Sequence, residues 1–444
     1  MTAAMAKPAA VAAPMRYVST RGDSPAVSIG AAIAAGLAPD GGLYVPEALP
    51  RLDPAAFDPH GTLADTAATL LAPFFAGDAM ADKLPAICAE ALNLDIPLRA
   101  LPHQNAHVLE LFHGPTAAFK DVGARFLAAC MRYLPRTDDR PLTILVATSG
   151  DTGAAVGAAF HRQPGLRVVI LYPDGKVSPR QAHQLGCFGD NVQALRVDGR
   201  FDDCQRMVKA ALGDAELQAA VPLTSANSIS LGRLLPQMSY YAHASLRWWR
   251  ERGEPLNLIV PTGNLGNAMA CLWVREMGLP IGQVQLACNA NATLPDYFAG
   301  SQYEPRAAVT TLANAMDVGA PSNVERLRWT FPDERAMRQL LQAHSVGDAA
   351  IRQTIAAHAR VDGEVFCPHT ATAVHRLDQL RVAGDTRAWT VVATAHPAKF
   401  DSVVEPLVEH PVDVPASLAA MLARPASAEP LAADNEALKN YLRR

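Results

Sequence analysis

Lys120 stands between Phe119 and Asp121 in the run Leu111-Phe-His-Gly-Pro-Thr-Ala-Ala-Phe-Lys-Asp-Val-Gly-Ala-Arg-Phe126, with small apolar residues on its N-terminal side. An amine held in partly dry surroundings loses ammonium stability and becomes nucleophilic towards an aldehyde, which is what a Schiff-base lysine needs. Gly114-Pro115-Thr116 reads as a turn into a helix that starts near Ala117, with the Thr116 hydroxyl as its cap. Taken alone, the same run also describes a surface lysine opening an amphipathic helix. The choice between them rests on the remaining loops.

Three glycine-containing loops follow strand-like runs. Thr148-Ser149-Gly150-Asp151-Thr152-Gly153 leads into a helix of small residues, and its hydroxyls and amides suit a carboxylate at a helix N-terminus. For Asp151 alone, an N-cap role fits equally well. Pro261-Thr262-Gly263-Asn264-Leu265-Gly266-Asn267 follows Leu258-Ile259-Val260 and opens the next helix. Its glycines let the backbone approach an anion, and its spacing departs from Gly-x-Gly-x-x-Gly with no acid at ribose-binding distance, so a lone phosphate ester fits better than a dinucleotide. A Gly-Asn turn with no ligand is the competing reading. In Thr394-Ala395-His396-Pro397-Ala398-Lys399-Phe400, Thr394 points its hydroxyl into the same crevice, Pro397 suits a first helical turn and His396 reads as a packed or capping residue.

The elements that must hold these loops alternate. Strand-length apolar runs fall at Leu142–Ala147, Arg167–Leu171, Val192–Val197, Asn257–Val260, Gln283–Ala287 and Trp389–Ala393. Helical patterns cover Ala117–Tyr133, Gly153–His161, Val177–Leu185, Phe201–Leu212, Leu231–Arg250 and Gly266–Met277. This rhythm predicts an α/β protein with mainly parallel sheets flanked by helices and a ligand at the carboxyl ends of the strands. Earlier in the chain, Val27–Ala35 reads as a small-residue helix, Leu43-Tyr44-Val45 as a short strand, and residues 50–100 as helical pieces divided by prolines. The stretch Asn289–Ser322 is loop-rich and reads as a mobile insertion.

With 444 residues, half of them hydrophobic, the chain suffices for two or three domains. Its net charge of −4 comes from 39 basic and 43 acidic residues in no long run, which argues against nucleic acid or a membrane surface as partner. No apolar run approaches a membrane span. The seven scattered cysteines predict reduced, buried thiols and a cytoplasmic protein. No His-Glu-x-x-His pair supports a metal site. Met1–Met15 is alanine-rich and reads as a disordered tail.

Together these residues resemble the threonine synthases, pyridoxal-phosphate enzymes of the tryptophan-synthase-β-like fold type II. The similarity runs from Tyr17-Val-Ser-Thr-Arg-Gly22 and Asp40-Gly-Gly-Leu-Tyr-Val-Pro46 to Thr394-Ala-His-Pro-Ala-Lys399, and its most specific element is His113-Gly-Pro-Thr-x-Ala-Phe-Lys-Asp121. The resemblance implies pyridoxal 5'-phosphate on Lys120, its phosphate on Gly263, Asn264, Leu265, Gly266 and Asn267, and its ring nitrogen against Thr394. It implies that Ser149, Asp151 and Thr152 handle the amino-acid carboxylate. Asn227, Ser228 and Arg233 look like the family's site for the substrate phosphate, chemistry that a guanidinium's paired donors suit. There the family commonly continues Asn-Trp-Ala, whereas this chain has Ser230-Leu231-Gly232. The implied organisation is a 16–100 N-terminal segment and a 101–444 region of two subdomains with the cofactor between them, working as a monomer or homodimer. The implied reaction turns O-phospho-L-homoserine and water into L-threonine and phosphate. A related lyase would instead release 2-oxobutanoate and ammonia, and a non-catalytic cofactor-binding scaffold would turn over nothing.

Overall fold

The computed structural model describes residues 14–444 apart from 103, 135–139 and 228. Its parallel strands are near-continuous apolar runs, Ile144 to Val146 and Val168 to Leu171 being fully buried, because helices cover both sheet faces. Six strands form the larger sheet in the order Leu341–Ser345, Ile281–Cys288, Leu256–Pro261, Trp389–Ala393, Ala106–Glu110, Leu98–Ala100. All neighbours are parallel except the last pair. Five parallel strands form the smaller sheet, in the order Glu429–Ala432, Val192–Asp198, Leu166–Pro173, Leu142–Ala147, Leu223–Ser225. The chain begins the larger sheet, leaves to build the smaller one, returns, and sends its last strand back to the smaller sheet.

All six expected strands of this α/β architecture form, with ends shifted by up to two residues. Ahead of them, Tyr17–Ser19 pairs antiparallel with Tyr44–Pro46, and helices Ile29–Ala35, Leu63–Leu71 and Leu84–Ala91 pack on the main core. Of the expected tail, residues 1–13 lie outside the described residues. The helix expected over Leu231–Arg250 is two, Leu231–Leu234 and Gln237–Arg252, separated at Pro236, whose missing N–H cannot continue the ladder. The helix expected from Ala117 starts at Lys120, because Ala117 takes a left-handed φ of 54°. The stretch 289–322 is tied into the body: Asn289 donates to Thr311 Oγ1 and Asp317 Oδ1, both at 2.8 Å, and Thr293 donates to Gly319 O at 2.9 Å. All seven cysteines are buried free thiols, and among the described residues no helix is long and apolar enough to cross a membrane.

Candidate active site

Three neighbouring parallel strands close the gaps in sequence. Trp389–Ala393 lies between Ala106–Glu110 and Leu256–Pro261, so the Lys120 run, the Thr394 loop and the Gly263–Asn267 loop all leave one sheet edge. Backbone bonds stitch the first two together: Leu111 N to Ala393 O at 3.0 Å, Phe119 N to Thr394 O at 2.8 Å and His396 N to Ala117 O at 3.0 Å. His396 caps the short Pro397–Phe400 helix through its side chain, as its sequence position suggested.

The residues around Lys120 have separate tasks. Thr116 does not cap the helix; its N–H and hydroxyl both donate to Asp121, each at 2.8 Å. Burial pushes Asp121 up to about 6 despite those bonds. A Cβ at Gly114 would lie 2.3 Å from this carboxylate, which accounts for the glycine. Lys120 itself is half-buried, its Nζ 4.4 Å from the Phe119 ring centroid. Burial and the nearby Arg233 charge lower it to about 8, with Asp151 pulling the other way.

Asp151 is not an N-cap; Gly150 holds that position, at a φ of 133°, and the Asp151 carboxylate is turned inward. It accepts from Lys399 Nζ at 2.8 Å and from Gln181 Nε2 at 3.0 Å. Burial alone would raise its pKa, but Lys399 and His369 together hold it below the ordinary range. Lys399 is wholly buried and also donates to Thr116 O at 2.8 Å, so it joins the small-sheet loop to the Lys120 run. His369 is buried, and burial depresses it to about 4, leaving it neutral with Nε2 accepting from Ala315 N at 3.0 Å.

Two adjoining clefts meet at Lys120. The narrower, about 590 Å³, is walled by Lys120, Asp151, His369, Thr394 and the whole Gly263–Asn267 loop. Leu265 adopts a left-handed φ of 62° just before helix Gly266–Glu276, and a Cβ on Gly263 would sit 2.7 Å from Met316 Cα. Asn264 accepts from Ser322 N at 2.6 Å through its side chain and from Asn323 Nδ2 at 2.8 Å through its carbonyl. The stretch expected as an insertion is therefore one wall of the site.

The wider cleft, about 1300 Å³, is lined by Lys120, Ser149, Asp151, Thr152, Asn227 and Asn264, together with the exposed Arg306 and Lys209. Its loops follow the neighbouring strands Leu142–Ala147 and Leu223–Ser225. Asn227 Oδ1 is buried without a partner. Arg233 lines neither cleft and is wholly buried, with Nη1 donating to Ala226 O at 2.6 Å and Nε and Nη2 unpartnered. Burial lowers its pKa to about 10, with Asp121 opposing, so it stays a cation at neutral pH. Ser228 lies outside the described residues. Sequence reasoning singled out neither Lys399, His369 nor Gln181; Lys399 sat in a quoted motif, and its only signal was a lysine next to a buried strand's end.

The chain matches a family described as pyridoxal-phosphate dependent enzyme over residues 96–397, the threonine synthase N terminus over 16–92 and the threonine synthase C-terminal region over 370–442. It is 37% identical over 435 residues to the threonine synthase of Escherichia coli, covering 96% of this chain and 99% of that protein. Against the threonine synthase of Pseudomonas aeruginosa it is 35% identical, covering 88% and 90%. The crystal structure of threonine synthase from Escherichia coli superposes with a TM-score of 0.87 at 36% identity, covering 96% of this chain and 99% of that one. The pyridoxal-phosphate-bound threonine synthase from Brucella melitensis gives 0.86 at 34% identity, covering 97% and 99%. Matched along nearly its whole length by both sequence and structure, the chain belongs to the threonine synthase family of pyridoxal-phosphate-dependent enzymes.

Proposed function

We infer that this chain converts O-phospho-L-homoserine and water to L-threonine and phosphate, with pyridoxal phosphate in the narrower cleft and the substrate's phosphate in the wider one. The donors present fit the cofactor. Asn267 Nδ2 is buried with no partner, Gly263 leaves a cradle that no side chain could share with Met316, and the first turn of an eleven-residue helix points its free N–H groups at the same place. Gly263, Asn264, Leu265, Gly266 and Asn267 would hold the phosphate, Lys120 the aldehyde carbon and Thr394 the ring nitrogen.

When bound, pyridoxal phosphate supplies an electron sink conjugated to the substrate's α-carbon. The work of this chain's residues follows from their surroundings. A Lys120 amine lowered to about 8 is neutral about a tenth of the time at pH 7, far more than an ordinary lysine, so once free it can take the α-proton and return it. Thr394 offers a neutral hydroxyl, which does not hold a ring nitrogen protonated as a carboxylate would, and the softened sink suits a route that passes charge on to a leaving group. Ser149 and Thr152 offer hydroxyls to the amino-acid carboxylate. Asp151 would repel that carboxylate if its charge were bare, and the Lys399 contact at 2.8 Å compensates it. Asn227 lines the wider cleft, and Arg233, cationic with two donors unpaired but outside the cleft lining, would have to be uncovered to meet the phosphate that leaves the γ-carbon while a proton leaves the β-carbon. A proton is then returned to the γ-carbon, which becomes the methyl group, and water adds at the β-carbon.

The observation that carries this reading is Lys120: an amine with a lowered pKa, standing where the two clefts join. The test is to incubate cofactor-loaded protein with O-phospho-L-homoserine and identify the products by proton and phosphorus NMR. Threonine and phosphate in equal amounts are expected. Release of 2-oxobutanoate with ammonia would replace the reading by a lyase, and a loaded but inert protein would leave a scaffold.

A further inference from the structure

Asn267 is the last residue of the glycine loop and lies in the first turn of helix Gly266–Glu276. Its side-chain carbonyl Oδ1 is approached by two phenols, Tyr240 at 2.5 Å and Tyr241 at 2.9 Å, from the helix Gln237–Arg252 packed alongside. Both tyrosines are wholly buried, their rings 4.7 Å apart. Burial, reinforced for Tyr241 by Tyr240 and for both by the Cys271 thiol, pushes both phenols well above their ordinary range, so they remain protonated donors. Adjacent residues on a helix face different directions, and bringing both hydroxyls to one oxygen spends two buried side chains on one contact. The arrangement also decides which end of the amide is which. Turning it over would present the NH2 group to the two phenols and deprive the buried Tyr241 proton of the acceptor it has here, a loss that buried hydroxyls do not tolerate cheaply. Tyr240 has a second acceptor in Gln237 Oε1, but at the longer distance of 3.4 Å. With Oδ1 doubly committed, the planar amide leaves Nδ2, buried and without a partner, to whatever fills the narrower cleft that Asn267 lines.

We propose that Tyr240 and Tyr241 are positioning residues: by donating together to Asn267 Oδ1 they lock the Asn267 amide with its nitrogen towards the cleft, where it takes a phosphate oxygen of the cofactor. This rests on the reading of the glycine loop as the cofactor-phosphate site. Neither phenol touches the cofactor. Their role is to stop the amide rotating, since a rotated amide would set a carbonyl oxygen against a phosphate oxygen and turn attraction into repulsion.

The readout is the ratio of affinities of cofactor-stripped protein for pyridoxal phosphate and for pyridoxal, which differ only in the phosphate, measured by absorbance titration alongside circular dichroism. In the double variant Tyr240→Phe/Tyr241→Phe the ratio is expected to fall about tenfold, on the order of one charge-assisted hydrogen bond, with pyridoxal affinity unchanged. A merely structural role would weaken both ligands together, and an unchanged ratio in the folded double variant overturns the proposal. Should the double variant not fold, Asn267→Asp decides, because it keeps an acceptor for both phenols and replaces the amide nitrogen by an anionic oxygen. Its ratio is expected to fall at least a hundredfold, and a preserved ratio refutes the assignment. A native protein that does not prefer pyridoxal phosphate over pyridoxal would instead remove the cofactor-site reading itself.

Discussion

The two sheet edges that face each other across the clefts are built differently. On the larger sheet, the Lys120 and Thr394 loops are bonded backbone to backbone across neighbouring strands, and the glycine loop is buttressed by Ser322, Asn323 and Met316. On the smaller sheet, Asn227 Oδ1, Ser230 Oγ and two nitrogens of Arg233 are buried without partners. Buried orphans are costly in a finished structure and inexpensive where a ligand completes the set. The first edge carries Asn267 Nδ2 as an orphan within an otherwise bonded frame and suits a resident group held in one geometry, and the second, where several orphans cluster, suits a phosphorylated molecule that comes and goes. Two wholly buried arginines sharpen the contrast. Arg326 donates to Tyr44 O, Asn323 Oδ1 and Ile229 O, tying the N-terminal hairpin to both edges. Among the described residues Arg233 reaches one carbonyl, that of Ala226.

The largest expected effect falls where the edges meet. Lys120→Ala should lower threonine formation by about 10⁴-fold, the upper range for loss of a positioned base, while the cofactor-free protein stays folded, since the change removes a desolvated amine from beside Arg233. Product analysis checks it, and normal turnover would leave no reason to regard the junction of the clefts as catalytic.

Next comes the bridge between the edges. Lys399→Met strands the Asp151 carboxylate and should cost about 3–5 kcal/mol at neutral pH. In the intact protein the Asp151 pKa lies below its ordinary 3.8, so this carboxylate contributes stability that is present above that value and lost as pH falls through the depressed one. Without Lys399, burial wins and the folded-state pKa rises above 3.8 instead, so the deficit is greatest at neutral pH and shrinks on acidification. Urea denaturation at several pH values reads this directly. A deficit that does not vary with pH would mean that packing, not charge pairing, joins the edges there.

The arginines should then separate stability from binding. Arg326→Met leaves three oxygens without donors and should destabilise by about 3 kcal/mol. Arg233→Met gives up one bond together with two orphaned donors, and stability should change by no more than about 1 kcal/mol. Its cost should appear as a rise of about a hundredfold in the KM for the phosphorylated substrate, the scale for removing a cation from a buried pair. If Arg233→Met unfolds the protein as readily as Arg326→Met, the smaller-sheet edge is structural rather than ligand-completed.

The sequence made the edges legible more readily than what lies between them. Strands buried on both faces show as apolar runs, so Leu142–Ala147 and Trp389–Ala393 were read to the residue and the loops after them fell into view. The edge strand Leu341–Ser345 carries Gln342, His344 and Ser345 and gives no such run, and Leu223–Ser225 has only three residues. Lys399 was in plain sight within a quoted motif, yet nothing local distinguishes a buried lysine from one opening a helix, because its partner Asp151 belongs to another sheet. Helix boundaries failed where a single residue overrides periodicity, as Pro236 does by its missing donor and Ala117 by its left-handed turn. Thr116 failed as a cap for a similar reason: Asp121, five residues on, claims both its donors.

Ala117 provides the smallest and most delicate test of the difference between the edges. It is wholly buried at a φ of 54°, three residues before Lys120, and its carbonyl accepts the bond from His396 N. A left-handed conformation costs an L-residue about 1–2 kcal/mol. Ala117→Gly releases that strain but gives up a buried methyl, about 0.8 kcal/mol, and adds roughly 0.5–1 kcal/mol of unfolded-chain entropy. These terms nearly cancel, so stability should move by less than about 1 kcal/mol in urea denaturation. If the cross-strand bonds hold the loop, turnover should fall by less than about threefold, since none of those bonds involves the lost methyl. A fall beyond tenfold at unchanged stability would instead assign the placing of Lys120 to the strained residue, and the rigidity of the larger-sheet edge would then come from a single backbone kink rather than from bonds between its loops.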